Sequence, residues 1–211
     1  QRRREAGPER VTPQSFKQAM EGPDRQMEQV GKWQKRGIGC LKKREPGMEV
    51  VRTRWVFTWK RDSGRAKARI AAKGFDQTLS ISYKESFSPT LKMTSLCLFL
   101  HLCVEYDLDI FIDDVVAAFI SSGLGEHQVY LEVPEGFDCP LGYVLHLNAA
   151  AEGLKQASAK WTKKIDGILT AKGFESVAKG TETCLCCKWV HEIPCLVARY
   201  MDDFGTGVHP S

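Results

Sequence analysis

Cys195-Leu196-Val197-Ala198-Arg199-Tyr200-Met201-Asp202-Asp203-Phe204-Gly205-Thr206-Gly207-Val208 is the stretch whose reading decides the fold. Cys195 to Tyr200 reads as a short apolar strand and Phe204 to Val208 as its return, which puts Asp202 and Asp203 at a hairpin tip open to a cleft. Adjacent carboxylates repel unless cations sit between them. Mg²⁺ prefers a few carboxylate oxygens and fills its remaining positions with water and phosphate, so the implied chemistry is phosphoryl transfer. A second acidic pair, Asp113-Asp114, ends the β-rich segment Leu108 to Asp114, which is expected to bring one acid to the same sheet edge. Successive strand residues point to opposite faces, so only one of these two can line such a site, and spacing alone leaves the choice open.

The rest of the chain frames this hairpin. With 211 residues, 43% of them hydrophobic, it can build one sizeable core, or one domain with a small subdomain. The longest apolar run, Leu96 to Val104, is too short to cross a bilayer. Gln1-Arg2-Arg3-Arg4 is not followed by an apolar region, so the expectation is an intracellular protein, cytoplasmic or nuclear and not secreted, with eight free thiols. The net charge of +4 hides an asymmetry: residues 1–75 carry +12 and residues 76–211 carry −8. A basic first part suits a polyanion and an acidic remainder suits a divalent cation, although a solvated surface has the same signature.

Residues 1–49 read as an irregular lead-in, with helical candidates at Thr12–Met20, capped by Thr12 ahead of Pro13, and at Arg25–Val30. Thr53–Lys60 and Lys67–Lys73 form a basic β-hairpin turned at Asp62-Ser63-Gly64. Lys92–Tyr106 has helical spacing, with Thr94 or Ser95 near its start, and predicts a helix packed on a sheet. A short helix near Ala117–Ser121, a strand at Gln128–Val133 and a second amphipathic helix at Leu154–Gly173 follow; in that helix Trp161, Ile165, Ile168 and Leu169 share a face. The class is α+β with a partly antiparallel sheet. Cys184, Cys186, Cys187, His191 and Cys195 superficially suggest zinc, but the first three cysteines fall in a strand pattern, TCLCCKWV, ahead of the hairpin and read as buried thiols. Gly205 and Gly207 open no helix with a third glycine, so a dinucleotide fold is unsupported.

Eight strings in order carry a resemblance: RWVF at Arg54–Phe57, KARIAAKGF at Lys67–Phe75, SFSP at Ser86–Pro89, KMTS at Lys92–Ser95, DVVAAF at Asp114–Phe119, VYLEVPEGF at Val129–Phe137, GLKQA at Gly153–Ala157, and YMDD at Tyr200–Asp203. Together they resemble the reverse transcriptase domain of Ty1/copia-type retrotransposons. The lead-in SFKQAM at Ser15–Met20 is similar to the segment preceding that domain. The resemblance implies a right-hand polymerase: fingers built from the basic hairpin at about residues 53–75 and a palm over about 90–211, within a fingers-and-palm part spanning 50–211 and cut before the thumb. It implies RNA-directed DNA synthesis on a primed RNA or DNA template from deoxynucleoside triphosphates, using two Mg²⁺ ions or Mn²⁺, alongside the remaining parts of a polyprotein.

Motif by motif, the resemblance makes Asp114 and Asp202 metal ligands, completed by Asp203, and turns Asp113 away. It sets Phe119 under the nucleotide sugar, where a ring leaves no space for a 2′-hydroxyl, and Gln156 near the sugar and base. The alternatives are a core aromatic on a short helix for Phe119, the lesser of its two readings, and a surface amide for Gln156, which spacing alone favours nearly as much. Lys67, Arg69 and Lys73 are candidates to bind triphosphate or template, and Tyr200 and Met201 to shape the hairpin and touch the primer end.

The chain also departs from the family's pattern. Ala150-Ala151-Glu152 stands where an aromatic-containing SLY is usual, Ser158 and Ala159 where proline and arginine are usual, and Val116 where lysine is common. The fingers hairpin is shortened after Gly64, a glutamate at position 152 should repel triphosphate, and Ser211 comes eight residues after Asp203, without the rest of the palm, a thumb or a ribonuclease H domain. Two readings therefore stand: a polymerase domain, or an inactive or domesticated fragment that binds nucleic acid or a protein without catalysis.

Overall fold

The computed structural model describes residues 12–21, 33, 37–59, 66–79, 83–125 and 127–210. Helix α1 (Phe16–Glu21) leads into strands β1 (Gly39–Lys43), β2 (Val50–Val51), β3 (Thr53–Trp59) and β4 (Ala66–Ala72), and then a 3-10 turn at Gly74–Asp76. Helix α2 (Met93–Glu105) and strand β5 (Asp109–Asp114) follow, with a 3-10 turn at Phe119–Ser121 and strands β6 (Tyr130–Leu131) and β7 (Tyr143–Leu147). The chain continues through helix α3 (Ala157–Ala171) and strands β8 (Glu175–Ala178), β9 (Glu182–Val190), β10 (Ile193–Tyr200) and β11 (Asp203–Val208). Few helices and several mainly antiparallel sheets match the mixed helix and strand content expected from the sequence.

Two compact units divide the chain. The first holds the residues up to Gln77, with Gln128–Asn148 and Glu152–Leu154; the second holds Thr78–His127, Ala149–Ala151 and Lys155 onward. In the first unit, a sheet of order β1-β7-β6-β2 accompanies the β3–β4 hairpin, which pairs from Thr53↔Ala72 to Trp59↔Ala66. Ile38, Val51, Ile70, Val129, Leu131 and Leu147 are buried, and Trp55 stacks on Phe16 at 5.2 Å and on Phe57 at 5.9 Å. Helix α1 starts at Phe16 rather than Thr12 because Ser15 supplies the cap, its Oγ accepting the Gln18 N–H at 3.2 Å. The Arg25–Val30 helix and the Asp62–Gly64 turn lie outside the described residues.

The second unit is built on a five-stranded sheet of order β5-β11-β10-β9-β8. Phe99 and Cys103 of α2 pack on Leu108, Leu185, Leu196 and Ala198, where burying a side chain the size of Phe99 is worth about 2–3 kcal/mol. The expected helix on a sheet is therefore present, although its start has no side-chain cap: Ser95 instead donates to the Glu182 carboxylate. Of the two glycines in the GxG, Gly207 is the one that packing requires, since a Cβ there would sit 2.7 Å from Cys103 Sγ. On the opposite face, reached by strand alternation, Phe204 joins Ala118, Trp161 and Ile165 beneath α3. Ile168 departs from the expected apolar face and is 45% exposed, whereas Leu169 packs on the cluster. Of the expected strand at Gln128–Val133, only Tyr130–Leu131 pairs.

Candidate active site

Strands β10 and β11 pair from Leu196↔Gly207 to Tyr200↔Asp203, so Met201 and Asp202 form a two-residue turn. Next to it, β11 pairs with the edge strand β5, setting Asp203 directly opposite Asp114 and Phe204 opposite Asp113. The Val115 N–H donates to the Asp202 carbonyl at 2.9 Å, continuing this register by one step. Val115 and Asp202 are thus a hydrogen-bonded pair, and the neighbouring Asp114–Asp203 pair is of the non-hydrogen-bonded kind, with side chains closest at about 4.5 Å between Cα atoms. Two residues that lie 89 positions apart in sequence become nearest cross-strand neighbours.

Period two sends Asp113 with Phe204 to the face covered by α3, and Asp114 with Asp203 to the face covered by α2. Asp114 and Asp203 are exposed and Asp202 is half-buried. Like charges directly opposite on a sheet are destabilising by a few tenths of a kcal/mol to about 1 kcal/mol, a penalty that a shared hard cation removes. Carboxylate oxygens at an open edge suit such an ion. Among the described residues, however, no group of three His, Cys, Asp or Glu side chains is arranged to hold a metal ion, so Asp114, Asp202 and Asp203 do not form one together. The register brings Asp114 and Asp203 together, with Asp202 next to them in the turn.

Tyr200 and Met201 are exposed, and Tyr200 and Asp203 line a cleft of 340 Å³ shared with Leu96, Phe99, Ile110 and Ile112. Met201 has φ +58°, an uncommon conformation for a residue with a side chain. Its carbonyl accepts a hydrogen bond at 2.8 Å from Trp161 Nε1, in a side chain only 4% exposed. Helical spacing puts Trp161 on the apolar face of α3, and nothing in that spacing points at the turn.

Phe119 opens the 3-10 turn and packs against Ala118, Trp161 and Ile165, the contacts of a core aromatic. Gln156 is 1% exposed at the start of α3, so the surface alternative for it does not hold. Val116 is 75% exposed. Cys184 and Cys186 are buried on β9, and burial pushes both thiols up in pKa; Cys187 falls on the other side of the strand by alternation.

The basic candidates belong to the first unit. Lys67 and Arg69 share one side of β4 with Lys73 just past its end, while Ala68, Ile70 and Ala72 are buried on the other. Arg69 lies 4.0 Å from the Glu152 carboxylate, so the glutamate expected to repel phosphate instead pairs with one of the proposed phosphate ligands. Ala72 N–H donates to the Glu152 carbonyl at 2.8 Å. The next residue, Gly153, sits at φ +89°, with Ala72 O only 2.1 Å from where a Cβ would be. Part of the GLKQA string is therefore a packing requirement of β4. Nearby, the Arg52 guanidinium donates two bonds of 2.8 Å to Asp76, holding that carboxyl down at about 2.

Residues 41–207 match the family model described as reverse transcriptase (RNA-dependent DNA polymerase). The chain is 34% identical over 174 residues to the "Retrovirus-related Pol polyprotein from transposon TNT 1-94" of Nicotiana tabacum, an alignment covering 77% of this chain and 13% of that protein. It is 38% identical over 136 residues, 61% of this chain and 9% of the relative, to the corresponding polyprotein from transposon RE2 of Arabidopsis thaliana. To that from transposon RE1 of the same plant it is 37% identical over 139 residues, 63% and 9%. The chain thus spans about one eighth or less of the length of these relatives. The family match covers most of the chain and includes Asp114 of β5, Asp202 of the turn and Asp203 of β11, so this chain belongs to the reverse transcriptase (RNA-dependent DNA polymerase) family, as the Ty1/copia-type strings implied.

Proposed function

We propose that residues 50–211 are the fingers-and-palm part of an RNA-directed DNA polymerase, preceded by a lead-in over residues 1–49, with the β3–β4 hairpin region as fingers and the residues from about 90 onward as palm. The observation that carries the reading is the Asp114↔Asp203 register beside a turn holding Asp202, all inside the family-matched span. In this reading the three carboxylates hold two divalent cations, Mg²⁺ or Mn²⁺. Such ions, when bound, lower the pKa of an attacking primer hydroxyl and neutralise charge on departing pyrophosphate. Lys67, Arg69 and Lys73 bind phosphates of the incoming deoxynucleotide or template as point charges and forks. Phe119 and Gln156 shape the nucleotide's sugar and base site, and Tyr200 and Met201 meet the primer end of a primed RNA or DNA template. The remaining parts of a polyprotein complete the machine.

A second reading, a noncatalytic nucleic-acid binder, is favoured by the Arg69–Glu152 pair and by exposed Val116 at a position where the family commonly has lysine. Primer extension on a homopolymeric template with Mg²⁺ separates the two. Catalysis predicts incorporation that Asp202→Asn lowers about a hundredfold or more, the scale of losing a group that stabilises developing charge. Salt-sensitive nucleic-acid binding with no incorporation by the unaltered chain would instead establish the second reading.

A further inference from the structure

We propose that Trp161 is a positioning residue that holds the acid-bearing turn in shape, an inference that deepens the metal-holding reading of Asp202 and Asp203 and rests on it only for its consequence. Met201 and Asp202 are the two central residues of the β10–β11 turn, and only Met201 has positive φ, at +58°. Positive φ at a turn's central position is a conformation that glycine adopts freely and other residues do not. A residue with a Cβ in this region costs about 1–2 kcal/mol, so something outside the turn must favour the conformation.

Two hydrogen bonds do so. The Asp202 carbonyl accepts the Val115 N–H at 2.9 Å, a main-chain bond that any residue at 115 other than proline could make. The Met201 carbonyl accepts from Trp161 Nε1 at 2.8 Å, and only this side chain supplies that bond. The indole has a single N–H and no acceptor, and it lies 4% exposed among Ala118 and Ile165, where an unmet donor is costly. The dependence is mutual. Trp161 keeps its buried proton satisfied only while the turn stays strained, and the strained turn sets the direction in which Asp202 leaves the chain.

Amide hydrogen exchange tests this without a metal. Trp161→Phe keeps a ring in the cluster and removes the N–H. It should accelerate exchange across Tyr200–Phe204 about fivefold, the factor for losing one net hydrogen bond, with exchange in Ala157–Ala171 unchanged. Adding Met201→Gly, which accepts φ +58° without strain, should return the turn to its original rate. Equal acceleration of helix and turn, no acceleration, or failure of Met201→Gly to reverse it would each assign Trp161 to core packing alone and overturn the proposal. Should Trp161→Phe not fold, Met201→Gly by itself decides: slower turn exchange supports the strained turn and unchanged exchange overturns it. Mn²⁺ titration by electron paramagnetic resonance then tests the consequence, with binding about fivefold weaker in Trp161→Phe. If the unaltered protein binds no Mn²⁺ while the exchange pattern holds, the metal reading fails and the positioning role stands.

Discussion

The two units treat the charges of their candidate site residues in opposite ways. In the second, Asp114 and Asp203 face each other across strands, exposed, with no salt bridge to either carboxylate among the described residues. In the first, cations are engaged by their own unit: Arg52 is forked onto Asp76, Arg69 lies beside Glu152, and Lys42 sits 5.6 Å over the Tyr130 ring. Repulsion left standing on one side and satisfied on the other teaches where a ligand would change most. A divalent ion meets two unneutralised acids at no cost in displaced partners, whereas a triphosphate on β4 must compete with a glutamate. In the proposed reading, the acids of the second unit are open to an ion, and its basic half, on β4, is partly occupied from within its own unit.

The same contrast appears in how each unit uses a glycine, and it gives the largest expected effect. Gly153→Ala would set a Cβ 2.1 Å from the Ala72 carbonyl oxygen at φ +89°, and main chain cannot step aside. A loss of about 3 kcal/mol or more is expected in urea unfolding, with no rescue by any single side-chain change on β4. Gly207→Ala is gentler. Its Cβ meets a side-chain atom, Cys103 Sγ, at 2.7 Å with ordinary φ, so about 1–3 kcal/mol is expected, and Cys103→Ala in the same chain should recover part of it. Equal losses in both, or a Gly207→Ala penalty untouched by Cys103→Ala, would mean that the two contacts are alike and that the contrast drawn between backbone and side-chain collisions is wrong.

How much of this was legible in the chain follows from what each feature depends on. The β10–β11 hairpin, β5 and helices α2 and α3 are written in local periodicity, and each lies within a few residues of where the pattern puts it. Choosing Asp114 over Asp113 needed the family motif, because alternation separates the two without saying which face matters; the pairing of Asp114 with Asp203 then follows from register. Strands β1, β7 and β8 went unread because their pairing is supplied by distant partners, Gly39↔Leu147 being the clearest, and their own residues are mixed in polarity. The Trp161 bond to Met201 joins positions 40 apart and depends on a turn conformation that composition does not announce. Gly153 looked like part of a nucleotide motif, yet its nearest neighbour is the main chain of β4.

The smallest expected effect bears most directly on the basic half. Glu152→Gln removes the carboxylate 4.0 Å from Arg69 while keeping the residue's size and its main-chain bond to Ala72. Both side chains are partly exposed, at 47% and 35%, so solvent screens the pair and its loss should shift stability by less than about 1 kcal/mol. Binding of inorganic triphosphate is the sharper measurement. Freed of its partner, Arg69 should raise affinity about two- to fivefold at low salt, and the gain should fade as salt is raised through the range where the Debye length drops below about 10 Å. Glu175→Gln is the control, because it releases Lys179, a cation that is not among the proposed phosphate ligands. If Glu152→Gln binds triphosphate no better than the unaltered chain, then Glu152 does not restrain Arg69. The weakness of the basic half would then lie in which cations β4 carries rather than in what holds them.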